Sequence, residues 1–563
     1  MLALGILAQS MSVRAADSAD SDSESSSADA GKSAQAKPAK HFKAEQFASK
    51  GSVTVDGQHI DYNAYAGTLV VHPKGWDDVP QNAPADEDKN PRPEASMFYV
   101  AYFKSDGKPE GDKAASKSSS GDKADADKLA EKSLPGRPIT FIYNGGPGSA
   151  SVWLHMGAWG PKRVVTADDT HTPAAPYSMV NNAYSLLDVS DLVFIDAPGA
   201  GFSRIAGKDR DKAFYGVDPD AQAFANFIVQ FLTRYGRWNS PKYLFGESYG
   251  TTRSAALISL LETDKFVDFN GVILLSQILN FDNSIDQPEL NPGMDLPYQL
   301  ALPSMAAAAW YHHKLPDQSV ELQPLLQEVE TYAMNDYARA LGQGNTLTTE
   351  ERASVAAKLH QYTGLPVDYI LKADLRVNGP EFEKTLQQDT DTTTGRLDAR
   401  FSGPTLDPLS KEADYDPMTA AFGSAYVSVF NSYVRKDLKF VTDLEFHVFD
   451  DSIKEWDTKH TVPGGEPGQK QQLANVMPDL ALAMKYNPGL HVMLNGGYFD
   501  IGTPFYEAIY EMQHLPIPAS LQKNIEFAFY NSGHMVYAHE DALKEMHAKV
   551  ADFVRRTSPG GMH

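Results

Sequence analysis

The 563-residue chain contains no cysteine, which excludes thiol nucleophiles, thiolate metal sites and disulfides. Lysine and arginine number 50 against 73 aspartates and glutamates, a net charge of −23. An acidic balance of that size argues against a nucleic-acid surface, which needs a basic stripe. No apolar run reaches the roughly 18 residues of a transmembrane helix, so no membrane span is expected. Hydrophobic residues nevertheless make up 42% of the chain, enough for a sizeable core.

Two stretches are too polar to fold alone. Residues 16–42 are rich in Ser, Ala, Asp and Lys and are expected to be disordered. A second such stretch, 105–137, separates the strand-like runs 97–103 and 139–143, which reads as a β-hairpin with a long, mobile, charged tip. Ahead of both, Leu2–Ala8 is apolar, and Val13-Arg14-Ala15 offers small residues at a cleavage site. Residues 1–15 are therefore expected to be a signal peptide, though without a positively charged start, and the protein periplasmic or secreted.

From residue 190 onward short β-rich runs alternate with amphipathic helices. Strands are expected at 192–195, 243–245, 272–275, 491–494 and 526–529. A helix is expected from about Pro219 to Tyr235 with Asp218 as N-cap, another from Thr251 to Glu262, and a closing one over Glu540–Arg555. The alternation implies a mostly parallel sheet covered on both faces. Between about 281 and 433 the rhythm gives way to helix-prone sequence, expected to form an inserted cap. The core is thus expected in two parts, 43–280 and 434–563. The stretch Met294–Trp310 fits a pocket wall and simple cap packing equally well.

Gly246-Glu247-Ser248-Tyr249-Gly250 follows strand 243–245 and precedes a helix. In this context a serine sits on a strained turn at the carboxyl end of the sheet, the nucleophile elbow of an α/β-hydrolase. A serine hydroxyl needs a base, and in this fold the acid and histidine follow later in the chain. Asp500, after strand 491–494, and His534, after strand 526–529, both fall on loops at strand ends. His491, His539 and His547 are weaker candidates, because they begin a strand or belong to the last helix. A second glycine run, Asn144-Gly145-Gly146-Pro147-Gly148, follows strand 139–143. It is either plain turn punctuation or the source of one oxyanion-hole amide, with the Tyr249 amide as the other. The pair His312-His313 points its side chains in different directions on a helix. No metal and no cofactor are expected.

Together with Asp196-Ala197-Pro198-Gly199-Ala200-Gly201-Phe202-Ser203, the Asp500 segment ending at Pro504, and Gly533-His534-Met535-Val536, these blocks resemble the serine carboxypeptidase family in its order. The resemblance implies an α/β-hydrolase with an inserted cap, a Ser248–Asp500–His534 triad, and oxyanion donors Gly146 and Tyr249. It also implies that Asn144 and Glu247 bind the free carboxylate of a peptide substrate, with an acidic pH preference because two carboxylates must share a proton. The sequence departs from the family where a supporting glutamate is usual, since Ala158-Trp159 precedes Gly160-Pro161. Ile142, Ser149 and Tyr537 stand where tryptophan, cysteine and proline are common. An esterase, acyltransferase or aminopeptidase on the same scaffold, or a catalytically silent binding protein, remains open at this level.

Overall fold

The structure, a computed structural model, describes residues 42–75, 92–105, 136–466 and 468–558. The expected signal peptide, nearly all of the expected disordered segment 16–42 and nearly all of 105–137 lie outside the described residues.

Nine strands form the body of one sheet: β1 (Gln46–Val55), β2 (Gln58–Val71), β3 (Glu94–Lys104), β4 (Ile139–Tyr143), β5 (Asp191–Ile195), β6 (Lys242–Glu247), β7 (Gly271–Leu275), β8 (His491–Gly497) and β9 (Ile525–Tyr530). Their order is β1-β2-β3-β5-β4-β6-β7-β8-β9, and a short strand, Arg204–Ala206, pairs with β3. The first three pair antiparallel, and β3 is antiparallel to β5. From β5 to β9 every pairing is parallel.

This order corrects the hairpin expected from 97–103 and 139–143. Strand β5 lies between β3 and β4, with Tyr99 opposite Ile195 and Ile139 opposite Asp191. Sequence adjacency favours a hairpin. However, all five residues of β4 are buried, as suits a strand flanked by parallel neighbours and covered on both faces.

Alternate side chains of the parallel strands feed two cores. Phe194, Phe245, Ile273 and Met493 face one cluster, closed by Trp153, Tyr426, Leu543 and Phe553. Val193, Leu244, Leu274 and Leu494 face the other, closed by Phe224, Phe227, Leu257 and Leu480. The covering helices include α1 (Val217–Arg234), α2 (Tyr249–Thr263) and the last helix (Glu540–Thr557). Helix α1 starts at Val217 with Gly216 as N-cap. Asp218, expected as the cap, instead stands in the first turn, and its carboxylate is taken by His460 and Lys470. Tertiary ion pairing overrides the local capping preference here.

Between β7 and β8 the chain leaves the sheet. Helices α3 (Leu296–Tyr311), α4 (Leu322–Tyr332) and α5 (Thr349–Thr363) gather around their own core of Leu302, Met305, Leu326, Val329 and Leu359. Most of α3 is buried, with Tyr298, Leu302 and Met305 in that core, while Met294, Asp295 and Tyr298 also line a cavity beside Tyr369 and Arg376, so the stretch from Met294 both packs the cap and walls a pocket in it. Helix α6 (Pro417–Lys436) packs instead on the sheet's first cluster. Among the described residues no helix is long and apolar enough to cross a membrane.

Candidate active site

Ser248 joins β6 to α2 with φ 60° and ψ −131°, a backbone state that costs energy for any residue but glycine. The turn is held by the Ser248 amide donating to Leu275 O at 3.0 Å and by Thr251 N donating to Ser248 O at 2.8 Å. The next amide, Tyr249 N, opens α2 and so has no acceptor within its own helix. Helix geometry therefore leaves it free to face developing negative charge.

The glycine loop lies directly against this turn. A Cβ on Gly145 would come within 2.4 Å of Tyr249 N and 2.7 Å of Glu247 O, so only glycine permits the approach. Gly146 follows with φ +104°. Behind the loop, Arg253 of α2 donates to Asn144 O at 2.7 Å and to Asp220 at 2.7 Å, all of it buried. Arg253 belongs to no motif, and its helical position gave no sequence signal of this contact.

Asp500 and His534 come together at the ends of β8 and β9. His534 Nδ1 is 2.8 Å from Asp500 Oδ2, and both side chains are buried. Thr503 donates its amide to Asp500 Oδ1 at 2.9 Å and its hydroxyl to Oδ2 at 2.6 Å. Burial alone would lower the His534 pKa, but the charge and hydrogen bond of Asp500, with Glu247 nearby, outweigh it and raise it. An imidazole that donates Nδ1–H to Asp500 keeps Nε2 able to accept a proton. Ser276 ties the Ser248 turn to this pair. It directly follows Leu275, which holds the Ser248 amide, and its own hydroxyl donates to His534 O at 2.6 Å.

An insertion segment also reaches both loops. Ala399 N donates to Phe499 O at 2.9 Å, Ile501 N to Arg396 O at 3.1 Å, and His534 N to Leu397 O at 2.6 Å. Asp398, paired with Arg400 in the interior, accepts from Gly533 N at 3.1 Å. Close packing of the two loops also requires Gly497, where a Cβ would meet the Ser532 and Gly533 carbonyls within 2.2 Å.

Glu247, beside Ser248, is buried and accepts from the Tyr537 hydroxyl at 2.8 Å. Burial raises its pKa to about 7, against the opposing pull of the His534 charge and of hydrogen bonds from Tyr537 and Asn144. Asn144 is itself fixed, its side-chain oxygen accepting from Leu154 N at 3.1 Å. The structure thus gathers Asn144, Glu247, Asp500 and His534 at the end of the sheet where Ser248 turns. The three weaker histidine candidates fall elsewhere. His539 and His547 pair with Asp168 and Asp188, and His491 opens β8. Among the described residues no cluster of His, Asp and Glu is arranged to hold a metal ion.

A six-stranded parallel run with the strained Ser248 turn after β6 and a helical insertion after β7 defines the α/β-hydrolase class. Within it, the serine carboxypeptidase sequence model matches residues 129–517, well over half of the chain. The protein belongs to the serine carboxypeptidase family. The matched span includes Asn144, Glu247, Ser248 and Asp500 and ends before His534. No curated protein matches the chain in sequence. Similar solved structures include the proline iminopeptidase of Mycobacterium smegmatis, at 12% identity and TM-score 0.31, covering 91% of this chain and 99% of that one. A monoglyceride lipase variant of Saccharomyces cerevisiae shares 10% identity over 87% of this chain and 96% of its own, with TM-score 0.31. A carboxyl esterase of Bacillus coagulans shares 11% over 87% and 98%, also with TM-score 0.31.

Proposed function

We propose that the protein is a serine carboxypeptidase that releases C-terminal amino acids through an acyl-enzyme. The observation that carries this reading is the buried 2.8 Å contact between His534 and Asp500 at the sheet end where Ser248 is held in a strained turn. His534 Nε2 takes the Ser248 proton as Oγ attacks the last peptide carbonyl. The oxyanion is met by the Gly146 and Tyr249 amides, and Asp500 balances the imidazolium. His534 then protonates the leaving amine, and water, deprotonated by His534, cleaves the ester.

The substrate carboxylate lies against Asn144 and Glu247. Two carboxylates attract only while they share a proton, and Glu247 holds one up to a pKa of about 7. His534 must be neutral to act as base, so acid also slows the reaction. For peptides with a free C-terminus, kcat/KM should therefore fall as pH rises from 7 to 8.5. A profile flat or still rising across that interval would remove the carboxylate site.

The direct test treats wild type and Ser248→Ala with a fluorophosphonate probe and with matched free-acid and amidated peptides. Labelling should vanish in the variant and turnover drop by about 10⁴-fold or more. Only free-acid peptides should be shortened. Stoichiometric labelling of the variant would sink the nucleophile, and equal cleavage of amidated peptides would point to an endo- or aminopeptidase instead.

A further inference from the structure

We propose that Tyr537 is the positioning residue of the substrate-carboxylate site, holding one oxygen of Glu247 so that the carboxyl group is set to meet the C-terminus of a peptide. The proposal rests on reading Glu247 as the group that binds that carboxylate.

Tyr537 lies in the short turn Val536–Ala538, three residues after His534. Its hydroxyl donates to Glu247 Oε2 at 2.8 Å, and both side chains are buried. The ring is wedged in place: a Cβ on Gly157 would come within 2.7 Å of it and 2.5 Å of the Tyr426 hydroxyl. Gly157 belongs to the buried turn Leu154–Trp159, which carries no carboxyl group. The polar support of Glu247 therefore comes from Tyr537 on the histidine's own loop and from Asn144 on the glycine loop, and the turn bearing Ala158 supplies no carboxyl partner.

The chemistry of the donor matters. Burial and the charge of Glu247 push the Tyr537 hydroxyl further above its ordinary range, so it donates throughout the working pH and never takes a proton from Glu247. A hydrogen bond to an ionised acceptor is stronger than to a neutral one, so Tyr537 favours the Glu247 anion and opposes burial. The groups acting on Glu247 are His534 and Tyr537 from the loop after β9, Asp500 from the loop after β8 and Asn144 from the glycine loop. Tyr426 faces it from α6. Deleting the hydroxyl removes one pull toward the anion and leaves the rest in place. Glu247 then keeps its proton to higher pH but loses its fixed orientation.

The experiment compares wild type, Tyr537→Phe, Glu247→Gln and the double variant. Substrates are a free-acid peptide, its amide, and p-nitrophenyl acetate, which has no carboxylate to recognise. In Tyr537→Phe, KM for the free-acid peptide should rise about tenfold at pH 5.5, with kcat within about threefold. The alkaline limb should move up by roughly half a pH unit or more, while acetate hydrolysis, which also reports folding, stays unchanged. In Glu247→Gln the limb should disappear and the added Tyr537→Phe change should not alter it. An unmoved limb and KM in Tyr537→Phe, in an enzyme that still prefers free acids, overturns the Tyr537 assignment alone. Equal loss on all three substrates also overturns it, by showing a merely structural role. Equal wild-type cleavage of acid and amide overturns the Glu247 reading, and the proposal with it.

Discussion

Arg253 shows how one side chain outside every motif can set the geometry of the site. Its guanidinium satisfies Asp220 and the Asn144 carbonyl at once and lies 4.2 Å from the Phe224 ring centroid. Because both side chains are buried, removing one partner of such a pair strands the other charge. Arg253→Met should therefore cost about 3–5 kcal/mol in urea unfolding and lower kcat by loosening the glycine loop. Adding Asp220→Asn should recover part of the stability, because the uncompensated carboxylate goes with it, but not the loop anchor. If the single variant is as stable as wild type, the buried pair has no structural role. Thr503 belongs to the same class of residue. It donates twice to Asp500, and its place in the chain marked it only as part of the Asp500 segment.

At the scale of elements, the loops bearing Asp500 and His534 owe their placement to the insertion as much as to the sheet. Phe499 and Ile501, on either side of Asp500, are members of the insertion's core. Residues 396–400 bond to both loops, and Asp398 with Arg400 fastens Gly533 and Ser532. His534 orientation is expressed mainly in the transition state. Asp398→Ala should therefore reduce kcat for a small ester by about 10- to 100-fold with KM little changed. Steady-state kinetics alongside a thermal melt checks this, and an unchanged kcat in a folded variant would show the bracket to be idle. The expected N-cap at Asp218 and hairpin at 97–143 failed at this same scale. Both rules see only neighbours in sequence, whereas a distant histidine claimed Asp218 and a later strand took the place beside β3.

Across the whole molecule, residues 446–466 and 468–476 run beside the loops that follow β4 and β5, with Ser149 bridged to Phe449 and Gly201 to His447, and are clamped by His460. Both ring nitrogens meet carboxylates, Nδ1 to Asp218 at 2.7 Å and Nε2 to Asp479 at 2.8 Å, which favours the doubly protonated imidazolium even though burial lifts the Asp479 carboxyl above its ordinary range. Burial opposes that charge, but the two carboxylates prevail and raise the pKa to about 9. A raised histidine pKa stabilises fully below its unfolded value near 6.5, and the contribution is lost as pH climbs through 9. His460→Gln should thus lower stability below pH 6.5 by on the order of 2 kcal/mol, with the gap to wild type narrowing toward pH 9.5. A gap independent of pH in paired thermal melts would exclude the clamp. The segment also carries Trp456, edge-on to Tyr249 at 5.3 Å, so loosening it should reach the start of α2 beside Ser248.

The parallel sheet, the amphipathic helices and the family were legible in the chain itself, because period and glycine spacing are local properties. Ser248, Asp500 and His534 stand out as candidates in the same way, by their places after short apolar runs. What folding alone decided is which strand lies beside which, that an insertion grips the acid and histidine loops, and that Tyr537 and Arg253 meet Glu247 and Asn144. Those contacts join residues 109 to 290 positions apart, and burial, which moves the Glu247 proton toward neutrality, exists only once the core has closed around them.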